Sequence, residues 1–158
     1  MWRHQLTLAA IAVACFYSGE LAAQPADPIN GTWELNVAKS RFDPGPAPRS
    51  QTRTYESDGK VVHMTSRGVN AEGQVTEVEY TASYDGEDAP MPGSPVADTV
   101  SLKRIDDSTS EATLKKDGKV VSTSTRVISK DGKEMTVTTT GKNEKGQTIR
   151  SELLFERK

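Results

Sequence analysis

The chain has 158 residues, a formal net charge of −2 at neutral pH and 34% hydrophobic residues. This length predicts one folded domain. The slightly acidic balance, without a basic run, argues against nucleic acid binding and against attraction to an anionic membrane surface.

The N-terminal residues have the layout of a secretory signal. Arg3 precedes a short apolar run, LTLAAIAVA (6–14), and small residues follow as far as Ala23. Since about 20 apolar residues are needed to span a bilayer, we expect no membrane span. We predict a signal peptide over residues 1–23, cleaved after Ala23, and a periplasmic or secreted protein; a buried N-terminal helix is the alternative for this stretch.

The only cysteine, Cys15, allows a second interpretation of the signal. It follows a small residue in IAVAC (11–15), so a lipoprotein anchored through Cys15 is the alternative to soluble processing. Cleavage after Ala23 would leave no cysteine for a disulfide, a thiol nucleophile or a metal site.

The pattern of the rest of the chain predicts strands and turns. Residues 24–30 are polar and are predicted to be a flexible lead-in. TWELNV (32–37) alternates apolar and polar residues, which is typical of a half-buried strand. The proline-rich DPGPAP (43–48) interrupts regular structure, and from Ser50 onward Asp and Gly turn signals separate runs rich in Val, Thr and Tyr.

This pattern predicts an all-β domain over residues 31–158. Short turns make consecutive strands antiparallel neighbours, so we expect an up-and-down meander of about 8–10 strands. Closure into a barrel would remove the exposed sheet edges, and an open sandwich is the alternative.

Several arginines and tyrosines share the inward parity of the apolar residues. Burying an unpaired Arg costs on the order of several kcal/mol. Either these residues lie at the barrel mouth, or the interior holds water or a polar ligand group. An inward Arg can bind a carboxylate or phosphate; the alternative is pairing with a neighbouring Glu or extension to the rim. The candidate ligand-binding residues are Arg53, Tyr55, Tyr80, Tyr84, Arg104 and Arg126.

The opening GTWELN (31–36) and the ending LLFERK (153–158) resemble those of the lipocalin and fatty-acid-binding protein superfamily. Gly31–Glu56 is also similar to the opening of uncharacterised bacterial secreted lipocalin-like proteins. The resemblance implies a calycin barrel that holds a small apolar or amphipathic molecule. It also implies a structural plug made of Gly31, Trp33 and Arg157, in which Arg157 stacks on Trp33.

The chain departs from the fatty-acid-binding pattern at two places. The Arg-x-Tyr that holds the ligand carboxylate in the last strand of that family is Leu153 and Phe155 here. The helix pair that covers those barrels has no counterpart, since KSRFDPGPAPRS (39–50) is too short and too rich in proline. An Arg-x-Tyr does occur at Arg53 and Tyr55, on the second predicted strand, where we take it as coincidental.

Residue types for catalysis are sparse. His63 is predicted to face solvent, Glu77 and Glu79 lie on an outer strand face, and no Gly-x-Ser-x-Gly elbow or metal-ligand spacing occurs. We expect no enzyme activity, no cofactor and no metal, but a monomeric binding protein for a small lipophilic or amphipathic ligand. The alternative is a structural or envelope-interaction barrel without a bound small molecule, acting through loops such as 43–48 and 89–95.

Overall fold

The computed structural model describes residues 26–158. The expected signal peptide and Cys15 lie outside these residues. Ten β-strands and one turn of 3-10 helix, Val37–Lys39, make up the regular structure of the described part. The strands are β1 Gly31–Leu35, β2 Ser50–Ser57, β3 Val61–Val69, β4 Val75–Ser83, β5 Ala89–Pro90, β6 Thr99–Arg104, β7 Thr109–Lys116, β8 Lys119–Ile128, β9 Glu134–Lys142 and β10 Thr148–Arg157. The predicted all-β class is confirmed.

The strands form one antiparallel sheet in which almost every strand pairs with the next along the chain. The order is β4-β3-β2-β1-β10-β9-β8-β7-β6-β5, so the first and last strands are neighbours and the meander is confirmed. The two ends of the sheet, β4 and β5, lie beside each other without a hydrogen-bonded ladder. The barrel is therefore nearly closed.

The seam between β4 and β5 has a local cause. β5 has only two residues, Ala89 and Pro90, and both of them pair with β6. Proline has no N–H to donate to a further strand, so this edge cannot extend the sheet at Pro90. The complete closure that would remove every edge is not reached.

The core follows the predicted alternation. Trp33, Tyr55 and Phe155 are the largest fully buried side chains, and they come from three adjacent strands. The register places Leu35 opposite Phe155 and Phe155 opposite Met135, so inward residues meet inward residues across the sheet. This packing fills the end of the barrel near Trp33, which we call the closed end.

Residues 27–30 differ from the prediction. They were expected in a flexible lead-in, but Asp27 and Ile29 are buried, at 8% and 3% exposure, and the Asn30 side-chain amide donates to the Ser57 carbonyl at 2.9 Å. Although this stretch is mostly polar, Ile29 is buried in the core, and Asp27 and Asn30 form hydrogen bonds to Ser57 on β2. Among residues 26–158, no helix has the length and apolar character needed to cross a bilayer.

Candidate ligand-binding site

The closed end of the barrel is held by Trp33. Its indole N–H donates to the Ile29 carbonyl at 2.8 Å, and the Arg157 guanidinium carbon lies 4.1 Å from the centre of the ring. The plug residues that the resemblance implied, Gly31, Trp33 and Arg157, are thus brought together. A Cβ on Gly31 would lie 2.6 Å from Arg157 Nη1, so the backbone there approaches the guanidinium too closely for a larger residue.

Arg157 also ties separate segments together. Its Nε donates to the Gly132 carbonyl at 2.6 Å, Nη2 donates to the Pro28 carbonyl at 2.7 Å, and Nη1 donates to the Asn30 carbonyl. Because each of its three guanidinium nitrogens donates to a backbone carbonyl, Arg157 is a structural residue.

Two of the six candidate residues also belong to the closed end. Arg104 pairs with the Asp27 carboxylate and stacks on Tyr84, whose ring centre is 4.2 Å from its guanidinium carbon. The same carboxylate accepts a hydrogen bond from Ser57 Oγ at 2.7 Å. Arg104 and Tyr84 therefore do not line the interior cavity, and their role in ligand binding stays a prediction.

The interior cavity lies between the closed end and the opposite end, which we call the mouth. Its volume is about 250 Å³. It is bounded by the other four candidates, by small polar residues, by apolar side chains and by part of the loop between β5 and β6. The lining residues are Gln51, Arg53, Tyr55, Met64, Ser66, Val78, Tyr80, Met91, Ser94, Pro95, Val96, Val100, Ala112, Leu114, Ser124, Arg126 and Val137.

Arg126, on β8, is the most deeply buried charge in the cavity wall, with 3% exposure. Its Nη1 donates to the Tyr80 hydroxyl at 3.0 Å, and its guanidinium carbon lies 5.6 Å from the centre of the Tyr55 ring. Its Nε and Nη2 are buried and have no hydrogen-bond partner among residues 26–158. These two N–H groups point from the same edge of the guanidinium, the geometry that binds two oxygens of a carboxylate or phosphate.

Arg53, on β2, supplies a second guanidinium. Its Cζ lies 4.6 Å from the centre of the Phe155 ring, and its Nε is buried without a hydrogen-bond partner in the described part of the chain. None of the lining residues is Asp or Glu. The one carboxylate buried among residues 26–158 is that of Asp27, which is engaged by Arg104.

The two cations change the acidity of the neighbouring phenols. Burial favours the neutral form of Tyr55, but the charges of Arg53 and Arg126 outweigh burial and hold the pKa of Tyr55 below its usual value of 10. For Tyr80, burial dominates and raises the pKa despite the adjacent Arg126. The cavity therefore stabilises negative charge most strongly beside Tyr55.

Comparison with known proteins gives a fold but no family. No protein-family model matches the chain, and no curated protein matches it. Among solved structures, the barrel is similar to the zebrafish ileal bile acid-binding protein complexed with cholic acid. The two share 14% sequence identity with a TM-score of 0.52, over 83% of this chain and 99% of that one. The fold is calycin-like.

The calycin-like barrel contains site residues that the sequence reasoning missed. Gln51 Nε2 donates to Ser66 Oγ at 3.0 Å, and Ser124 Oγ lies 2.7 Å from Thr139 Oγ1. Gln51 shares the inward parity of Arg53, and Ser124 shares that of Arg126, so extending the alternation to uncharged polar residues would have found them.

The mouth of the cavity is covered by residues 91–97, which we call the 91–97 segment. Its hydrogen bonds are local: Met91 N–H donates to the Asp98 carbonyl at 2.9 Å, and Ala97 N–H donates to Ser94 Oγ at 3.2 Å. It touches β4 at Gly93, where a Cβ would lie 2.9 Å from the Glu77 carbonyl oxygen. The sequence of residues 91–97 has no periodic pattern from which the contact of this segment with the cavity could have been predicted.

The residues considered for catalysis lie outside the cavity. His63, Glu77 and Glu79 are exposed on the outer face, as expected, and His63 Nδ1 lies 2.9 Å from Thr81 Oγ1. Within residues 26–158, no group of three His, Cys, Asp or Glu side chains is placed to hold a metal ion.

Proposed function

We propose that this protein binds a small amphipathic molecule inside its barrel, with an anionic end of the ligand held by Arg126. The observation that carries the proposal is the Nε–Nη2 edge of Arg126, which is buried in the cavity wall without a protein partner in the described chain. A buried charge is costly unless it is paired, so an arrangement of this kind supports a ligand that brings the opposite charge.

The apolar part of the cavity supports the other half of the ligand. Met64, Val78, Val100, Leu114 and Val137 line it together with the charged and hydroxylated groups. Pockets for drug-sized ligands have about 300–1,000 Å³, whereas this cavity has about 250 Å³. The cavity therefore suits a compact ligand, or one whose apolar end extends under the 91–97 segment.

The structural comparison supports the proposal through the fold alone. The similar barrel of the zebrafish protein was solved as a complex with cholic acid. In this chain the charged groups lie on β2 and β8, whereas Leu153 and Phe155 occupy the positions on β10 where the fatty-acid-binding resemblance would place Arg and Tyr.

Binding is tested first without a chosen ligand. The protein is purified gently and examined by native mass spectrometry, and displacement of the fluorophore anilinonaphthalene sulfonate is then measured. We expect a bound mass that organic solvent removes, and a probe that competes with it. An empty barrel that binds no probe, together with a reproducible protein partner in envelope crosslinking, would instead support the interaction-protein alternative.

A matched pair of variants locates the binding. Ala112 is buried in the cavity wall, and Thr113 is its outward-facing neighbour on β7. Ala112→Leu adds three carbons inside the cavity and should weaken probe binding at least tenfold, about the effect of 1.4 kcal/mol. Thr113→Leu should leave binding unchanged. Equal effects of both substitutions would place the probe elsewhere.

We further propose that the protein acts outside the cytoplasm as a processed, soluble, monomeric chain akin to the bacterial secreted lipocalin-like proteins. The support is the signal layout of residues 1–23. N-terminal analysis of the protein from the envelope fraction should find Gln24 at the start of the chain. A lipid-modified Cys15 would show the anchored alternative.

A further inference from the structure

Two guanidinium groups, not one, reach into the cavity. Arg53 extends from β2 and Arg126 from β8, and three strands, β1, β10 and β9, separate these in the sheet. Both arginines line the same cavity as Tyr55, and the Arg126 guanidinium carbon lies 5.6 Å from the centre of the Tyr55 ring. The guanidinium group of arginine is effectively always charged in proteins.

The protein supplies no carboxylate to balance these two charges within the cavity. Two carboxylates of the described residues form ion pairs with other arginines, outside the cavity. Asp27 pairs with Arg104 at the closed end, and Glu77 pairs with Arg67 on the outer face. A ligand with one negative charge would balance only one of the two cations. A neutral cavity requires two negative charges from the occupant.

The donor geometry adds a requirement on shape. The Nε–Nη2 edge of Arg126 can engage two oxygens side by side, so both oxygens of a carboxylate would be directed toward Arg126, and Arg53 would have to share one of them. For an acceptor of its own, Arg53 Nε needs a further oxygen. Tyr80, whose oxygen accepts from Arg126 Nη1, keeps its own proton to donate. A group with three terminal oxygens provides enough acceptors for all of these donors.

We infer that the anionic end of the ligand is a dianion with three terminal oxygens, of the phosphate monoester class, bound by Arg126 through two oxygens and by Arg53 through the third. This inference rests on the proposed function and specifies the ligand class of the same cavity. It differs from the single carboxylate that the family resemblance would suggest.

The test compares four ligands with the same short chain by isothermal titration calorimetry: octyl phosphate, octyl sulfate, octanoate and octanol. Octyl sulfate has the tetrahedral shape with a single charge, so it isolates the effect of the second charge. We expect octyl phosphate to bind at least about tenfold more tightly than octyl sulfate or octanoate, the usual scale for one hydrogen bond to a charged group.

The pH dependence gives an independent readout. The second ionisation of a phosphate monoester has a pKa of about 6. Octyl phosphate affinity should therefore rise between about pH 5 and pH 8, while octyl sulfate affinity stays constant. Repeating the titration with Tyr55→Phe, and again with Tyr80→Phe, excludes the two ionisable phenols of the cavity as the source of the change.

Substitutions of Arg53 and Arg126 test what each arginine contributes to binding the two negative charges of the ligand. Arg53→Met should weaken octyl phosphate more than octyl sulfate, so that the preference for octyl phosphate over octyl sulfate is lost. Arg126→Met and Arg126→Lys should weaken both ligands, since lysine keeps the charge but lacks the paired N–H groups. Thermal unfolding checks each variant; should Arg126→Met not fold, Arg53→Met alone decides.

The outcomes separate this inference from the proposed function. Equal, pH-independent affinities for octyl phosphate and octyl sulfate overturn the dianion while leaving the binding function intact. Inorganic phosphate is titrated in the same way, and binding as tight as that of octyl phosphate would support the dianion and overturn the amphipathic ligand, indicating free phosphate as the source. Failure of all four ligands, with no bound mass and no probe displacement, overturns the proposed function itself.

Discussion

Arg157 lies over the Trp33 ring, with its guanidinium carbon 4.1 Å from the centre of the indole. The contact joins the C-terminal strand to the first strand, which are neighbours in the sheet although they stand at opposite ends of the described chain. It also fixes residues 28–30 through backbone hydrogen bonds. The closed end is thus built from parts that are distant in sequence.

Replacing Arg157 with alanine should therefore destabilise the barrel without changing its ligand preference. We expect a loss of about 1–3 kcal/mol in the free energy of unfolding, from the cation–π contact and the charged hydrogen bonds, measured by urea denaturation. Lys158→Ala is the control, because the exposed Lys158–Glu34 ion pair contributes about 0.2–1 kcal/mol. Equal losses in the two variants would contradict the structural role of Arg157.

Strand periodicity explains why part of this architecture could be predicted from the sequence. A side chain's face in a strand depends only on odd or even position, so the inward placement of Trp33, Tyr55 and Phe155 follows from alternation. The depth of a side chain along the barrel depends on register instead. Arg104 is the last residue of β6 and reaches the closed end, whereas Arg126 lies two residues before the end of β8 and reaches the cavity.

Loops and lead-in segments carry no comparable periodic signal. The 91–97 segment covers the cavity because Gly93 rests against β4, a contact between residues separated along the chain. Ile29 is buried because the Trp33 indole and Arg157 hold its segment. Neither relationship can be inferred from local composition, because both depend on the closed sheet.

Arg126→Met should test whether the buried charge serves binding rather than stability. A buried charge without a counter-ion has an uncompensated desolvation cost on the order of several kcal/mol, and an apolar residue of similar length removes that cost. We expect the ligand-free variant to unfold at the same or a higher urea concentration than the wild type, and to lose anion binding. A loss of about 3–5 kcal/mol, typical of a broken structural ion pair, would contradict this expectation.

Titration to alkaline pH should detect the lowered pKa of Tyr55. Burial opposes its ionisation, but Arg53 and Arg126 outweigh burial, so the folded-state pKa of Tyr55 lies below 10. Above that pKa the folded state binds fewer protons than the unfolded state, and the free energy of unfolding from this group rises with pH until the unfolded tyrosine also ionises near about 10. The same contribution is lost as the pH falls through the folded-state value.

Tyrosinate absorbance measures this directly. Of Tyr55, Tyr80 and Tyr84, one should ionise below its usual range in the wild type, and Tyr55→Phe should remove that step. Arg53→Met should move it to higher pH. Tyr80→Phe is the control, because burial raises the pKa of Tyr80 and its ionisation does not contribute to the early step. An early step that persists in Tyr55→Phe would assign it to another residue.

Asp27→Ala should show that the N-terminal segment is part of the fold. The Asp27 side chain is 2% exposed, pairs with Arg104 and accepts from Ser57. Its removal leaves Arg104 without its partner, and we expect a loss of about 3–5 kcal/mol in the free energy of unfolding. Asp107→Ala, an exposed carboxylate nearby, should change it by less than about 0.5 kcal/mol. Similar values for both variants would mean that residues 27–30 do not support the barrel.

Gly93→Ala should loosen the cover of the cavity. Gly93 has φ of +80°, and an added Cβ would meet the Glu77 carbonyl oxygen at 2.9 Å, so the 91–97 segment must move away from β4. We expect faster release of a bound fluorophore in stopped-flow measurements, together with a stability loss of about 1–2 kcal/mol from the left-handed backbone. Gly59→Ala is the matched control, because Gly59 has φ of +89° with open space around its Cβ position. Gly59→Ala should show the stability loss alone, since the β2–β3 turn does not contact the cavity. An equal change in release rate in both variants would mean that the ligand does not leave past the 91–97 segment.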